Sequence, residues 1–114
     1  MKVVHETNGQ TRTLAGDVEV ADSIVSHGLG LMFRRSIPDN YALVFRFDQA
    51  KFRRLHMLFV PFDIDAIWIT DGRVQKMERL SAWTGLARGR GDMIIELSPG
   101  AGDGVEPGDR IRVE

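Results

Sequence analysis

Apolar residues recur along this chain in short runs, which glycines, prolines and Asn-Gly or Asp-Gly pairs separate from one another. Short runs rich in β-branched and aromatic residues predict β-strands, and the separating pairs are typical of two-residue hairpin turns. Asn8-Gly9 therefore predicts a hairpin between strands at Lys2–Thr7 and Gln10–Ala15. Asp71-Gly72 predicts a second hairpin between an apolar strand and an alternating one.

The rest of the chain continues this pattern of short strands. Further strands are predicted at Tyr41–Phe47, Leu55–Val60, Ala66–Thr70, Met93–Leu97 and Arg110–Val113. The one helical pattern covers residues 21–28, where Asp22 or Ser23 can cap the first amides and Gly28 can end the helix. We therefore expect a mainly β fold, a small antiparallel sandwich-like barrel with one short α-helix near residues 21–28.

Length and composition indicate a folded protein with one domain. The 114 residues are 43% hydrophobic and 27% charged, so we expect a single domain over residues 1–114. The absence of cysteine excludes disulfides, thiolate metal sites and a cysteine nucleophile. No apolar segment is long enough for a secretory signal or a membrane span, which predicts a cytoplasmic location without a membrane partner.

The charge pattern gives little reason to expect nucleic acid as a partner. The net charge is -1, from 15 basic and 16 acidic residues, and produces no overall attractive field. Lys51–Arg54 is a basic run around an aromatic ring, which can bind single-stranded nucleic acid, but a loop between two strands explains it more simply. The glycine-rich basic segment Gly85–Gly91 lacks the Lys-Ser/Thr ending of a phosphate-binding loop, so we interpret it as a flexible loop.

Three segments resemble, in order, the signatures of one prokaryotic family. They are Gly30–Pro38 with Ala42–Phe47; His56-Met57 with Ile64–Val74; and Ile94–Leu97 with Gly100, Gly104 and Gly108–Ile111. The first contains a Gly-Leu-Met-Phe-Arg motif at Gly30–Arg34, followed by an apolar strand. Residues 21–114 thus resemble the domain of unknown function family 192.

The resemblance implies an all-β sandwich-like barrel with one short helix. It implies no catalytic residues and no cofactor, because none is established for the family. Family members usually carry Lys-Asn-Thr after a Trp-Met pair, whereas this chain has Leu58-Phe59-Val60 after His56-Met57. A site that the polar Asn and Thr build in relatives would therefore be altered in this chain.

One group of residues, His56, Asp63 and Asp65, combines an imidazole with carboxylates. Such side chains can bind a divalent cation or share general acid–base work. Asp63 and Asp65 would share one face of an extended strand, but Pro61 favours an irregular backbone there. The alternative interpretation is structural, with Asp65 bonded to backbone amides of a turn and Asp63 solvated.

A second candidate site comprises Met32, Arg34, Met57 and Asp65, where the family-like residues concentrate. The Arg34 guanidinium can hold a carboxylate or phosphate through two parallel hydrogen bonds, or it can form a buried ion pair. Trp83 follows a turn-like stretch and could line a groove.

Two functional hypotheses follow. The first is a small binding or accessory module without enzymatic activity, which holds a small ligand or a protein near Met32, Arg34, Met57 and Asp65. The second is a small hydrolase or carbohydrate-acting enzyme that uses Asp63 and Asp65, with or without a metal. We favour the first, and neither hypothesis calls for a cofactor.

Overall fold

The computed structural model describes residues 1–21 and 30–114, in which the regular structure is all strand. The strands of this part of the chain are β1 (Val3–Thr7), β2 (Gln10–Ala15), β3 (Asp17–Ala21), β4 (Tyr41–His56), β5 (Ile64–Thr70), β6 (Arg73–Leu80), β7 (Leu86–Leu97) and β8 (Arg110–Val113). The expectation of a mainly β fold is confirmed. Within the described residues, no helix has the length and apolar character needed to cross a bilayer.

The short helix predicted near residues 21–28 is not borne out. Ala21 is the last residue of β3, and residues 22–29 lie outside the described part of the chain.

The strands form one open sheet in the order β2-β1-β8-β6-β5-β7-β4-β3, rather than a closed barrel. Among the described strands, β3 and β4 alone pair in parallel, so the expectation of a fully antiparallel arrangement is also wrong. The reason is local: the amides of Gly16 and Asp17 both donate to the carbonyl of Asn40, at 3.2 and 2.9 Å. These bonds align β3 with the start of β4 instead of with β2.

Both predicted hairpins are confirmed. β1 pairs with β2 across Asn8-Gly9, and β5 pairs with β6 across Asp71-Gly72. All four turn residues have positive φ, between 51° and 76°. This is the backbone of a type I′ turn, for which Asn-Gly and Asp-Gly are the favoured pairs.

Alternation along β5 divides the core between the two faces of the sheet. Ile64, Ala66 and Trp68 pack in one buried cluster, which we call the Trp68 face. Ile67 and Ile69 pack in the other cluster, which we call the Ile67 face. Neighbouring residues of a strand point to opposite faces, so Asp65 lies on the Ile67 face.

Strands β4 and β7 extend beyond the sheet as a two-stranded ribbon, in which residues 51–56 pair with residues 86–91. The ribbon packs on Trp68: the indole Nε1 donates to the carbonyl of Arg53 at 3.1 Å, and a Cβ added at Gly89 would lie 2.5 Å from Cγ of Trp68. The interpretation of Lys51–Arg54 as a loop between two strands is therefore wrong, as is that of Gly85–Gly91 as a flexible loop from Leu86 onward. Its glycines allow the strand to lie directly against a buried ring.

The predicted strand at Leu55–Val60 is wrong beyond His56, where β4 ends. Met57–Val60 is a turn, closed by a hydrogen bond of 3.0 Å from the amide of Val60 to the carbonyl of Met57. The apolar run has another cause, since Met57 and Val60 are buried under the turn while Leu58 and Phe59 are exposed.

Candidate binding surface

Three large aromatic side chains from three separate loops meet on the outside of the protein. Phe33, Phe59 and Trp83 are 69%, 42% and 54% exposed. The rings of Phe33 and Phe59 stack with centroids 5.0 Å apart, and Phe59 meets Trp83 edge to face at 6.4 Å. We call these three residues the aromatic surface. Exposed apolar groups in contact with one another, unlike scattered ones, mark interaction sites.

Each residue of the aromatic surface has a left-handed backbone conformation. The φ angles are 67° at Phe33, 61° at Phe59 and 65° at Trp83. For a bulky residue this conformation costs on the order of 1–3 kcal/mol. Strain of this kind persists where the surroundings impose it, and it concentrates at functional sites.

Backbone hydrogen bonds hold the three loops together. The amide of Phe33 donates to the carbonyl of Phe59 at 2.8 Å, and the amide of Trp83 donates to the carbonyl of Val60 at 3.0 Å. The amide of Met57 donates to the carbonyl of Gly85 at 2.9 Å, which fixes the loops to the ribbon. The surface is therefore ordered before any ligand arrives, which reduces the entropic cost of binding.

Two of the three predicted metal ligands flank the aromatic surface. Nδ1 of His56 accepts the amide of Leu58 at 3.2 Å, and Oδ1 of Asp63 accepts the amide of Ala82 at 2.8 Å. Both side chains are exposed, whereas Asp65 is 0% exposed and lies on the Ile67 face. In the part of the chain that the structure describes, no three His, Cys, Asp or Glu side chains are grouped as a metal site.

Asp65 holds a loop in place. Its Oδ1 accepts Nε of Arg79 at 2.7 Å, and its Oδ2 accepts the amides of Gly100 and Gly102, each at 2.9 Å, and Nη2 of Arg79 at 3.2 Å. Arg79 also donates to Asp103 at 2.6 Å. The carboxylate thus ties the glycine-rich loop after β7 to the sheet. This agrees with the alternative interpretation of the sequence, in which Asp65 accepts hydrogen bonds from backbone amides of a turn.

The other members of the second predicted site lie on the Trp68 face. Met57 is buried there and Met32 packs against the same cluster. Arg34 donates to the hydroxyl of Tyr41 at 2.9 Å and pairs with Glu19 at 3.3 Å. Met32, Arg34 and Met57 are thus all associated with the Trp68 face, and the sheet separates them from Asp65.

Glu96 is a buried acid outside both predicted sites. It lies on the Trp68 face between Leu43 and Ala66 of the neighbouring strands, and a Cβ added at Gly30 would lie 3.7 Å from its Oε1. Burial raises the pKa of Glu96 to about 7, although the charge of Arg34 acts in the opposite direction. A lone acid within the apolar run Met93–Leu97 is the sequence signal that could have identified it.

Comparisons with known proteins agree with this fold. A UPF0127 protein from Pyrococcus horikoshii is 32% identical over 103 residues, which cover 85% of this chain and 87% of the relative. A crystal structure of a Sinorhizobium meliloti protein, described provisionally as a transcription regulator, is similar with a TM-score of 0.83 and 25% identity over 97% of this chain and 91% of that one. A Novosphingobium aromaticivorans protein of unknown function shares the fold, with a TM-score of 0.84 and 20% identity over 98% of this chain and 84% of that one.

The family itself is also identified. Its sequence profile, described as "Uncharacterized ACR, COG1430", matches residues 3–113, well beyond the segments that carry the resemblance. No activity is established for this family, and the Pyrococcus relative is itself uncharacterised. The chain belongs to the DUF192 family.

Proposed function

We propose that this protein is a non-enzymatic binding module whose contact surface is the aromatic surface of Phe33, Phe59 and Trp83. One observation carries the proposal: three exposed aromatic residues in strained, left-handed conformations are held in mutual contact by hydrogen bonds between their loops. Stability alone would favour glycine or asparagine at such positions. Aromatic residues there are better explained by what they contact.

The rings favour a ligand with flat faces. Stacked and edge-to-face aromatic groups offer large, rigid, apolar faces to a planar partner. A nucleobase and a sugar ring both supply such a face. The provisional description of the Sinorhizobium protein as a transcription regulator is compatible with the nucleobase.

The positions of Asp63 and Asp65 support the hydrolase hypothesis less well than they support a binding role. Asp63 is exposed beside the aromatic surface, whereas Asp65 is buried and already accepts hydrogen bonds from Arg79 and two amides. Acid–base catalysis by a pair needs both groups within reach of one substrate. A binding role requires no such pairing.

Titration of the Trp83 fluorescence tests the proposal. The probes are the oligonucleotide dT12 and the neutral oligosaccharide cellohexaose, and the Trp83→Phe variant supplies the signal of the buried Trp68. We expect a saturable change with one probe, retained in Phe59→Tyr and weakened about tenfold in Phe59→Ser. Two results would overturn the proposal: no response to either probe, or wild-type affinity in Phe59→Ser.

A further inference from the structure

The pairing of β4 with β7 collects basic residues from two distant segments on one face of the ribbon. Phe52 is opposite Arg90, Arg54 is opposite Arg88, and His56 is opposite Leu86. All six residues are exposed. We call this set the outer face, because the side chains between them, such as Leu55 and Ala87, pack towards the Trp68 face.

The outer face is organised at a cost to stability. Arg54 and Arg88 are directly opposite each other, and like charges in that position destabilise a sheet. Within the described residues, no carboxylate forms an ion pair with Arg54, Arg88 or Arg90. Three guanidinium groups are therefore available to an external anion.

An aromatic ring lies among these charges. Phe52 is 68% exposed, and the guanidinium of Arg88 lies 5.7 Å from the centre of its ring. Cations that follow a backbone, together with rings on which bases stack, characterise surfaces that bind single-stranded nucleic acid.

The end of the outer face is connected to the loops of the aromatic surface. His56 ends the outer face, and its Nδ1 accepts the amide of Leu58, the neighbour of Phe59. Across the ribbon, Leu86 follows Gly85, whose carbonyl accepts the amide of Met57. These bonds join the end of the ribbon to two of the loops that carry the aromatic surface.

We infer that the ligand of this module is a single-stranded nucleic acid, with phosphates on Arg54, Arg88 and Arg90 and bases stacked on Phe52 and the aromatic surface. The inference rests on the proposed function and names its partner. The overall charge of -1 does not oppose it, because the attraction depends on the local concentration of arginine on one face. A duplex fits less well, since its bases are already stacked inside the helix.

Fluorescence anisotropy with labelled dT12 tests this inference. We expect Arg54→Glu to weaken binding about tenfold, Arg54→Lys to retain most of it, and the slope of log affinity against log salt to fall by about 0.7 per lost phosphate contact. The matched control is Arg110→Glu, which makes the same charge change on exposed residue Arg110 of β8 and should leave the affinity within about twofold. A labelled duplex of the same length should bind more weakly than dT12.

The outcomes separate this inference from the proposed function. Saturable binding of cellohexaose without binding of dT12 would overturn the inference and leave the proposed function standing. Capture by phosphatidylglycerol vesicles without binding of dT12 would also overturn it. An equal loss of dT12 affinity in Arg54→Glu and Arg110→Glu would show a general effect of net charge and refute the outer face as the binding site. Loss of dT12 affinity in Arg54→Glu with wild-type affinity in Phe59→Ser would overturn the proposed function, and with it the stacking of bases on the aromatic surface.

Discussion

Phe33 and Phe59 stack with their ring centroids 5.0 Å apart while both occupy left-handed backbone conformations. The amide of Phe33 also donates to the carbonyl of Phe59 at 2.8 Å, so backbone and rings are fixed together. The stacked pair is exposed, and the contact therefore returns little of the energy that the two conformations cost. This imbalance is the observation on which the proposed contact surface rests.

Replacement of Phe59 by glycine tests whether this ring stabilises the fold. Relief of a left-handed conformation is worth roughly 1–2 kcal/mol, which offsets much of the loss of two ring contacts at about 0.5–1.5 kcal/mol each. We expect urea denaturation to give Phe59→Gly a free energy of unfolding that stays within about 1 kcal/mol of the wild-type value. Phe52→Gly, an exposed aromatic position inside β4, should instead lose about 1 kcal/mol. A loss above about 2 kcal/mol in Phe59→Gly would assign the ring to the fold.

Asp65→Ala should destabilise the protein by about 3 kcal/mol. The part-buried amide of Gly100 and the buried amide of Gly102 lose their acceptor, and a buried donor left unpaired costs roughly 1–3 kcal/mol. Asp103→Ala is the control, because it removes only the exposed partner of Arg79 and should cost less than about 1 kcal/mol. Equal losses in the two variants, measured by thermal or urea unfolding, would contradict the role of Asp65 in holding the loop.

Glu96→Gln should change how stability depends on pH. Folding raises the pKa of Glu96 from 4.5 to about 7, so the folded state favours the protonated acid. The protonated acid stabilises the folded state fully when the pH is below the pKa that Glu96 has in the unfolded chain, and this stabilisation is lost as the pH rises through about 7. The difference between the two pKa values corresponds to roughly 3 kcal/mol of free energy. The free energy of unfolding of Glu96→Gln should therefore exceed that of the wild type by that order at pH 8 and match it near pH 4.

Urea denaturation of both proteins at several pH values measures this difference. Glu106→Gln, at an exposed position, is the control and should follow the wild type throughout. A constant difference between Glu96→Gln and the wild type across this range would show that Glu96 does not titrate as its burial requires.

Arg54→Glu should make the protein more stable while it weakens nucleic-acid binding. The new carboxylate would face Arg88 across the ribbon and replace a repulsive pair by an attractive one, a gain of about 0.2–1 kcal/mol. Arg54→Gln is the matched variant, since it removes the repulsion without adding attraction and should gain less. Lower stability in Arg54→Glu, measured by urea denaturation at low salt, would show that the arginines do not repel each other.

The hairpins could be predicted from the sequence because their information is local. Asn8-Gly9 and Asp71-Gly72 specify the turn by backbone preference alone, whatever the rest of the chain does. The ribbon could not be predicted in this way, because Gly89 and Gly91 read as loop signals. Their meaning depends on Trp68 and Ile69, which approach them only after β5 is in place.

The candidate site shows the same division between local and long-range information. Trp83 was expected to line a groove, since its turn-like surroundings favour exposure. Phe33 and Phe59 join it through hydrogen bonds between loops that lie far apart in the chain.

Asp63 and Asp65 were grouped by spacing, but alternation along β5 and the hydrogen bonds of Asp65 place that carboxylate on the other face. Pairing partners of a strand are likewise invisible in composition, which hid the arginines of the outer face.

Binding of dT12 by the triple variant Phe33→Gly, Phe59→Gly, Trp83→Gly tests the role of the aromatic surface most directly. Glycine suits all three left-handed positions, so the variant should fold as the wild type does, as circular dichroism and urea denaturation will verify. We expect its affinity to fall by about 100-fold or more, since stacking contributes roughly 1–3 kcal/mol per base. A folded triple variant that binds dT12 as tightly as the wild type would contradict the assignment of these three rings as the binding surface.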